Sequence, residues 1–403
     1  MSNSYASEPI TSKDYQTVIG RGLATSWFKK YPVIRYSDSW LKEIKNKGFD
    51  HIRIRVAAAD YKGSNMSLLT DVIDKTLEAG LISIISWVNH EAEHRASDTD
   101  QKEYLDWWEE LATSLKGKSY LIGYNLFTEI SNESGLAKKN RYNKWTKKAV
   151  EIIRRIDPQR IIILSAPSKT VKSIVDIDRK IYDKDPYMLV EWHLYASGPN
   201  KRKGDKQWSG KGSKSDRGNV TSIFKKAKSF TNKTGIPTYF GAWMPMDNNY
   251  AKLKQGEVEA FANFFVQVAR KYKVPWTLNA DMQFIDIDNN QWFKAKSWGK
   301  KLTLDMERIL NVVMGKTNSK VSNCRELITK KVTEKYKLLT QKYISNYKNK
   351  IKNGCGNKSI KDSSGCSRAQ LVEISKQSKA QTEKIDVKMR VELNSRLKKA
   401  NCE

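Results

Sequence analysis

Cysteine is missing from most of this chain. None precedes Cys324, and all four, Cys324, Cys355, Cys366 and Cys402, fall in the C-terminal tail. A scaffold of small disulfide-stapled loops is therefore excluded for the body of the protein, which must close on an apolar core. Long apolar runs are missing too. No window approaches the roughly 18 uninterrupted apolar residues of a membrane helix, and the opening MSNSYASEPITSKDYQ lacks the apolar stretch of a secretory signal. Histidine is scarce: His51, His90, His94 and His193 are the four. Acidic residues are outnumbered, with 44 Asp and Glu against 73 Lys and Arg, so the net charge of +29 predicts attraction to polyanions.

What is present points to a large globular body. Hydrophobic residues make up 39% of 403 positions, with 12 Trp, 18 Tyr and 11 Phe to fill a core. From Gly315 onward the character changes, since 22 of the basic but only 8 of the acidic residues lie there. Around the turn-forming text NGCGNKSIKDSSGCS the tail is polar, Lys-rich and helix-compatible on both sides. An antiparallel helical hairpin would set Cys324 opposite Cys402 and Cys355 opposite Cys366, one pair near each end. Such staples persist in oxidising compartments. Five N-x-[ST] sequons, at Asn65, Asn132, Asn219, Asn232 and Asn357, agree with passage through a secretory pathway. The expectation is an extracellular or secretory-pathway protein without its signal peptide.

Before the tail, β-rich runs alternate with amphipathic helical stretches, the pattern of parallel strands joined by helices. The runs are TVIGRGLA (17–24), DHIRIRV (50–56), LISIISWV (81–88), SYLIGYNLF (119–127), RIIILSA (160–166), YMLVEWHLY (187–195), PTYFGAW (237–243) and PWTLNAD (275–281). Eight strand–helix units predict a (β/α)8 TIM barrel over 17–313, preceded by an extension over 1–16 and followed by the basic hairpin over 314–403. A doubly wound sheet is the alternative. In a barrel the chemistry gathers where strands end, on the C-terminal face.

Those ends carry a resemblance. KGFDHIRIRV, TLEAGLISIISWVNH, LIGYNLFTEI, MLVEWHLYA and GIPTYFGAW come in the order and spacing of the strand motifs of family 5 glycoside hydrolases, and over about 17–313 the chain resembles that cellulase-like family. The resemblance implies that Glu129 is the general acid/base, that Arg53, His193 and Tyr195 support it, and that Asn89, His90, Thr128 and Asn279 border the sugar. Hydrolysis of this kind requires two carboxyls: one protonates the leaving oxygen and keeps a raised pKa, the other stays ionised and attacks the anomeric carbon. The second is absent, because Gly241-Ala242-Trp243 stands where the family has Gly-Glu-Phe. Ala242 at the nucleophile position marks either an engineered trap substitution or a divergent mechanism. Thr128 stands for an Asn, Val88 and Asn89 for His-His, and Asn279 for a Trp. A displaced carboxylate could substitute, with Asp281 ranked before Asp247 and Glu191, and a separation of roughly 6.5–9.5 Å from Glu129 would suit inversion through a water. The other reading is a carbohydrate-binding or structural protein whose hydrolytic machinery is lost.

HEAEH, residues 90–94, matches the zinc motif H-E-x-x-H. That motif needs a long amphipathic helix and a third ligand. Here a strand-like run precedes it and RASDTDQ follows, so the reading is a polar loop bordering the cleft, with no metal and no cofactor. The segment SGPNKRKGDKQWSGKGSKSDRG (197–218) holds seven Lys or Arg against Asp205 and Asp216. It suits an anionic polysaccharide, with Trp208 and Trp243 as platforms for pyranose rings. For the basic tail the expected partner is an acidic surface or glycan; nucleic acid is the weaker alternative, for no recognisable module accompanies the charge.

Overall fold

The computed structural model describes residues 8–33, 35–194, 208–246, 254–298, 302–316, 319–354 and 368–400. They form two units, a body spanning Ile10–Lys116 and Leu121–Thr317, and a second that contains Asn318–Glu403.

The body is a closed barrel of eight parallel strands in sequential order. These are β1 (Arg21–Phe28), β2 (His51–Ala57), β3 (Ile82–Val88), β4 (Ile122–Asn125), β5 (Ile161–Thr170), β6 (Met188–His193), β7 (Thr238–Trp243) and β8 (Trp276–Leu278). Pairing of β1 with β8 closes the ring and rules out the doubly wound sheet. Around the ring run α1 (Ser12–Ile19), α2 (Asp38–Lys47), α3 (Met66–Glu78), α4 (His90–Arg95), α5 (Asp98–Ser114), α6 (Lys139–Ile156), α7 (Arg179–Tyr182), α8 (Lys214–Thr234), α9 (Gln255–Tyr272), α10 (Asp281–Phe284) and α11 (Met306–Val313). Two small hairpins, β9 (Ile285–Asp286) with β10 (Gln291–Trp292) and β11 (Ala295–Trp298) with β12 (Leu302–Asp305), lie between β8 and α11.

The strand pleat sorts the residues. In β2 the apolar Ile52, Ile54 and Val56 join the main apolar core, while the alternate residues His51, Arg53 and Arg55 face the barrel interior. At the lower end His51 is fully buried and fits only because Gly22 has no side chain, since a Cβ there would lie 1.9 Å from His51 Nε2. Its ring bonds the Ile19 carbonyl through Nδ1 at 2.5 Å and Thr277 Oγ1 through Nε2 at 2.8 Å.

The first strand differs from its sequence reading. Thr17–Ile19, expected in β1, end helix α1, and the strand begins at Arg21. Thr11 caps that helix, and its buried Tyr15 donates to the Leu121 carbonyl at 3.3 Å, below the strand layer. The N-terminal extension is thus partly a plug for the barrel floor. Two strands are irregular. Ser165 pairs with Glu191 but Thr170 with His193, so β5 arches between them, with Lys169 in the left-handed region at φ 54°. In β7, Phe240 and Trp243 both lie against Phe265 of α9, although residues three apart on a regular strand face opposite ways. A bulge at Gly241 and Ala242 accounts for this and for the register shift there.

The second unit contains a helical hairpin, α12 (Ser319–Gly354) with α13 (Arg368–Lys399). Glu392 accepts from Lys335 at 2.6 Å and from Tyr336 at 2.9 Å, and Tyr343 donates to the Gln377 carbonyl at 3.3 Å. These contacts are nested as an antiparallel register requires. The side chains of Cys324, Cys355, Cys366 and Cys402 lie outside the described residues.

Candidate active site

Beneath the C-terminal rim lies a buried polar network. Arg53, 1% exposed, donates from Nη2 to Glu191 Oε1 at 2.6 Å, to Asn125 Oδ1 at 2.7 Å and to the Thr128 carbonyl at 2.8 Å. Its Nη1 reaches the Gly241 carbonyl at 2.9 Å. Glu191, equally buried, also bonds His193 Nε2 and accepts from Asn125 Nδ2 and Ser165 Oγ. A guanidinium and a carboxylate can be buried together only when paired and saturated with hydrogen bonds, and here both are. Gly241 is required by this packing: a Cβ would lie 2.0 Å from Glu191 Oε1. Ser86 bonds Asn125 and Thr128 Oγ1, tying the Thr128 side chain to the same network.

Above the network stands Glu129, partly exposed just past the end of β4, with its Oε1 2.5 Å from Lys169 Nζ. Burial alone would raise its carboxyl, but the positive fields of His193 and Lys169, with the Lys169 hydrogen bond and His90 adding, outweigh it and hold the group below the usual carboxylate range. This reverses the raised pKa that an acid role requires. Lys169 was missed by sequence reading, for nothing in PSKTVK signals the arch that delivers it. Asn125 was missed but could have been found from the pleat, since it shares the inward face of its strand with a motif residue, whereas Glu191 was already a candidate on the same strand face as His193.

Ala242 is 1% exposed and pairs in register with His193, so a methyl group lies beside the network at the position where the resemblance leads one to expect a carboxyl. Asp281 is corrected. It does not end a strand but opens α10, fully buried, with Oδ2 accepting from the Ser26 amide at 3.0 Å and Oδ1 from the Met282 amide at 2.8 Å. Both oxygens are engaged by main chain, so it cannot serve a sugar. Trp208 and Trp243 are corrected as well. Each is 1% exposed: Trp208 packs on Phe261 and Phe264 with centroids 5.5 Å away, and Trp243 stacks on Phe265 at 3.9 Å. Neither offers a free ring face. Asn279 accepts from Arg55 Nη1 at 3.1 Å near the end of β8. Tyr195 and Asp247 lie outside the described residues, as does the first half, 197–207, of the basic 197–218 segment.

HEAEH forms α4, one short helix capped by Asn89, whose Oδ1 accepts from the Ala92 amide at 3.0 Å. Glu93 turns inward and takes a bond from His90 Nδ1 at 3.1 Å, while His94 is exposed. Burial raises the Glu93 carboxyl, and the His90 bond offsets this only in part. Among the described residues no group of three or more His, Cys, Asp or Glu is placed to hold a metal.

A closed (β/α)8 barrel with Glu129 over a buried Arg–Glu–His network places the site on the face where such barrels carry their chemistry, as in a glycosidase-type barrel. The chain belongs to the cellulase family, glycosyl hydrolase family 5, whose model matches residues 11–282. It is similar to Endoglucanase H of Acetivibrio thermocellus, 26% identical over 230 residues, which is 52% of this chain and 24% of that protein. The match thus spans about a quarter of that relative. Among solved structures, a hyperthermophilic endo-β-1,4-glucanase in complex with substrate superposes with a TM-score of 0.64 at 18% identity, covering 76% of this chain and 100% of that one. The endoglucanase Cel5A of Thermotoga maritima gives 0.63 at 16%, covering 75% and 100%.

Proposed function

We propose that this chain recognises a β-linked glycan in the cleft on the C-terminal face of its barrel, without the double displacement of a retaining hydrolase. The observation that carries the reading is the methyl group of Ala242 where a second carboxyl would stand. Retaining hydrolysis needs that group as nucleophile, about 5–5.5 Å from the acid. Glu129 at the acid/base position is held ionised, which makes it a poor proton donor at neutral pH and a good acceptor for sugar hydroxyls. Of the other described carboxylates near Glu129, Glu191 is committed to Arg53 and Asp281 to main-chain amides, while Glu93 is buried against His90. One structural neighbour, Cel5A of Thermotoga maritima, has been solved with cellobiose and with mannotriose, which makes oligosaccharides of those sugars the first ligands to test.

The surroundings of Glu129 support a glycan that carries carboxylate or sulfate groups. Lys169 touches it, and Lys29 and His90 feel its field from the same rim. Titration calorimetry with cello-oligosaccharides and their carboxylated counterparts tests this. The anionic ligand is expected to bind at least several-fold tighter, an advantage lost in Lys169→Met. Equal affinity would remove the anionic part of the reading, and no binding of either would overturn the whole.

A hydrolytic reading rests on family membership and on the motif positions that the sequence resemblance gives to Glu129, Arg53 and His193. It needs a carboxyl opposite Glu129; of the candidates read from the sequence, Asp247 lies outside the described residues. The basic hairpin, with its Cys324–Cys402 and Cys355–Cys366 pairs and a secretory route, is proposed as a dock for acidic glycan or another acidic surface. Intact mass under non-reducing conditions counts the disulfides, two of which lower it by the mass of four hydrogens, and a non-reducing peptide digest assigns the pairs.

A further inference from the structure

We propose that Glu191 is the counter-charge of Arg53 in place of a carboxylate at residue 242, so that this barrel has moved the negative charge of its site from β7 to β6, one layer below the cleft. The inference rests on the geometry of the network and deepens the non-hydrolytic reading, since it explains how the fold tolerates Ala242.

Arg53 is sunk in the barrel interior and needs a negative partner. Among the described residues its ion pair is with Glu191, at 2.6 Å. Its Nη1 donates to the carbonyl of Gly241, the residue preceding Ala242, at 2.9 Å. A glutamate at 242 would therefore bring its carboxylate within reach of the same guanidinium. It would also stand beside Glu191, whose Oε1 already fills the space that a Cβ at 241 would take. Two carboxylates would then compete for one buried cation, and like charges at such range cannot both stay ionised cheaply. The carboxylate of Glu191 is closed in by Arg53, Asn125, Ser165 and His193 and is 1% exposed, so it neutralises charge but cannot attack an anomeric carbon. It is a positioning residue that acts through Arg53 and His193.

The test is a double-mutant cycle on the full chain, read by thermal unfolding across pH and needing no glycan: wild type, Glu191→Gln, Ala242→Glu, and both together. Gln keeps the shape and loses the charge. Each single substitution is expected to lower the melting temperature by several degrees at pH 7, the first by unpairing Arg53 and the second by crowding two carboxylates. The double variant should recover most of the loss, and that recovery should fade as acid protonates the carboxyl at 242. A Glu191→Gln chain that folds only when Ala242→Glu is added would support the proposal equally. Strictly additive effects, a recovery that ignores pH, or a double variant that does not fold would overturn it. Because no ligand enters, failure of the glycan reading would appear only in the binding experiment.

Discussion

Lys169 Nζ lies 2.5 Å from Glu129 Oε1, and the lysine reaches it from a left-handed backbone conformation at φ 54° on the arch of β5. A non-glycine residue there costs roughly 1 kcal/mol or more, so the contact is held against a local penalty. In Lys169→Met the Glu129 carboxyl should titrate higher, since one of the two leading charges that hold it down is gone. Carboxyl carbon NMR follows this directly. The stability lost should be small, about 0–1 kcal/mol, because both side chains are partly exposed and water screens them. A Glu129 titration that does not move would show that Lys169 does not set its charge.

Acid should unfold the protein through His51 in particular. Burial pushes its ring down to about 4 from the ordinary 6.5, and the Ile19 hydrogen bond offsets this only in part. The unfolded chain therefore takes up the proton first. Stability is full above about pH 6.5 and falls as the pH drops toward about 4, by roughly 3 kcal/mol in all. Denaturant melts in this window should flatten in a folded His51→Gln variant. An unchanged slope would assign the acid sensitivity elsewhere.

Trp208 and Trp243 should act on stability and not on affinity. Replacing either by Ala removes a fully packed indole from beside α9 and should cost about 3–5 kcal/mol. Trp243→Phe should keep most of the stability and all of the glycan affinity. A tenfold loss of affinity in a folded Trp243→Phe chain would return the ring to the cleft.

Gly241→Ala should be among the most damaging single-methyl additions in the barrel. Its Cβ would meet Glu191 Oε1 at 2.0 Å, and that oxygen cannot retreat without loosening Arg53. Overpacking of this kind costs about 1–3 kcal/mol. Thermal unfolding of the variant measures it; an unchanged melting temperature would mean that Glu191 is not fixed where its bonds place it.

Most of the fold was legible because barrel strands bury both faces and announce themselves as β-rich runs between amphipathic helices. Thr17–Ile19 misled because three residues of helix before a glycine have the composition of a strand. Of the site, Arg53, Glu129 and His193 were named by the strand motifs, but that Arg53 sits third in β2, inside the barrel and not at the strand's end, was not readable from them. Lys169 was not readable, because an arch in a strand depends on the neighbouring strand's register and leaves no local pattern. The two tryptophans misled for a related reason. A bulge turns Trp243 outward, and Trp208 sits against Phe261 and Phe264, distant in sequence. Asp281 looked like a strand end and proved to be the first residue of a helix, where a carboxylate is taken up by main-chain amides.

The central claim is that the cleft holds a β-linked glycan without cutting it, and chromatographic analysis of that glycan after prolonged incubation with stoichiometric wild-type protein tests it most directly. The account predicts that a cello-oligosaccharide, neutral or carboxylated, that binds in calorimetry is recovered at its original length. Shortened products that form with wild type and vanish in Glu129→Gln would contradict it.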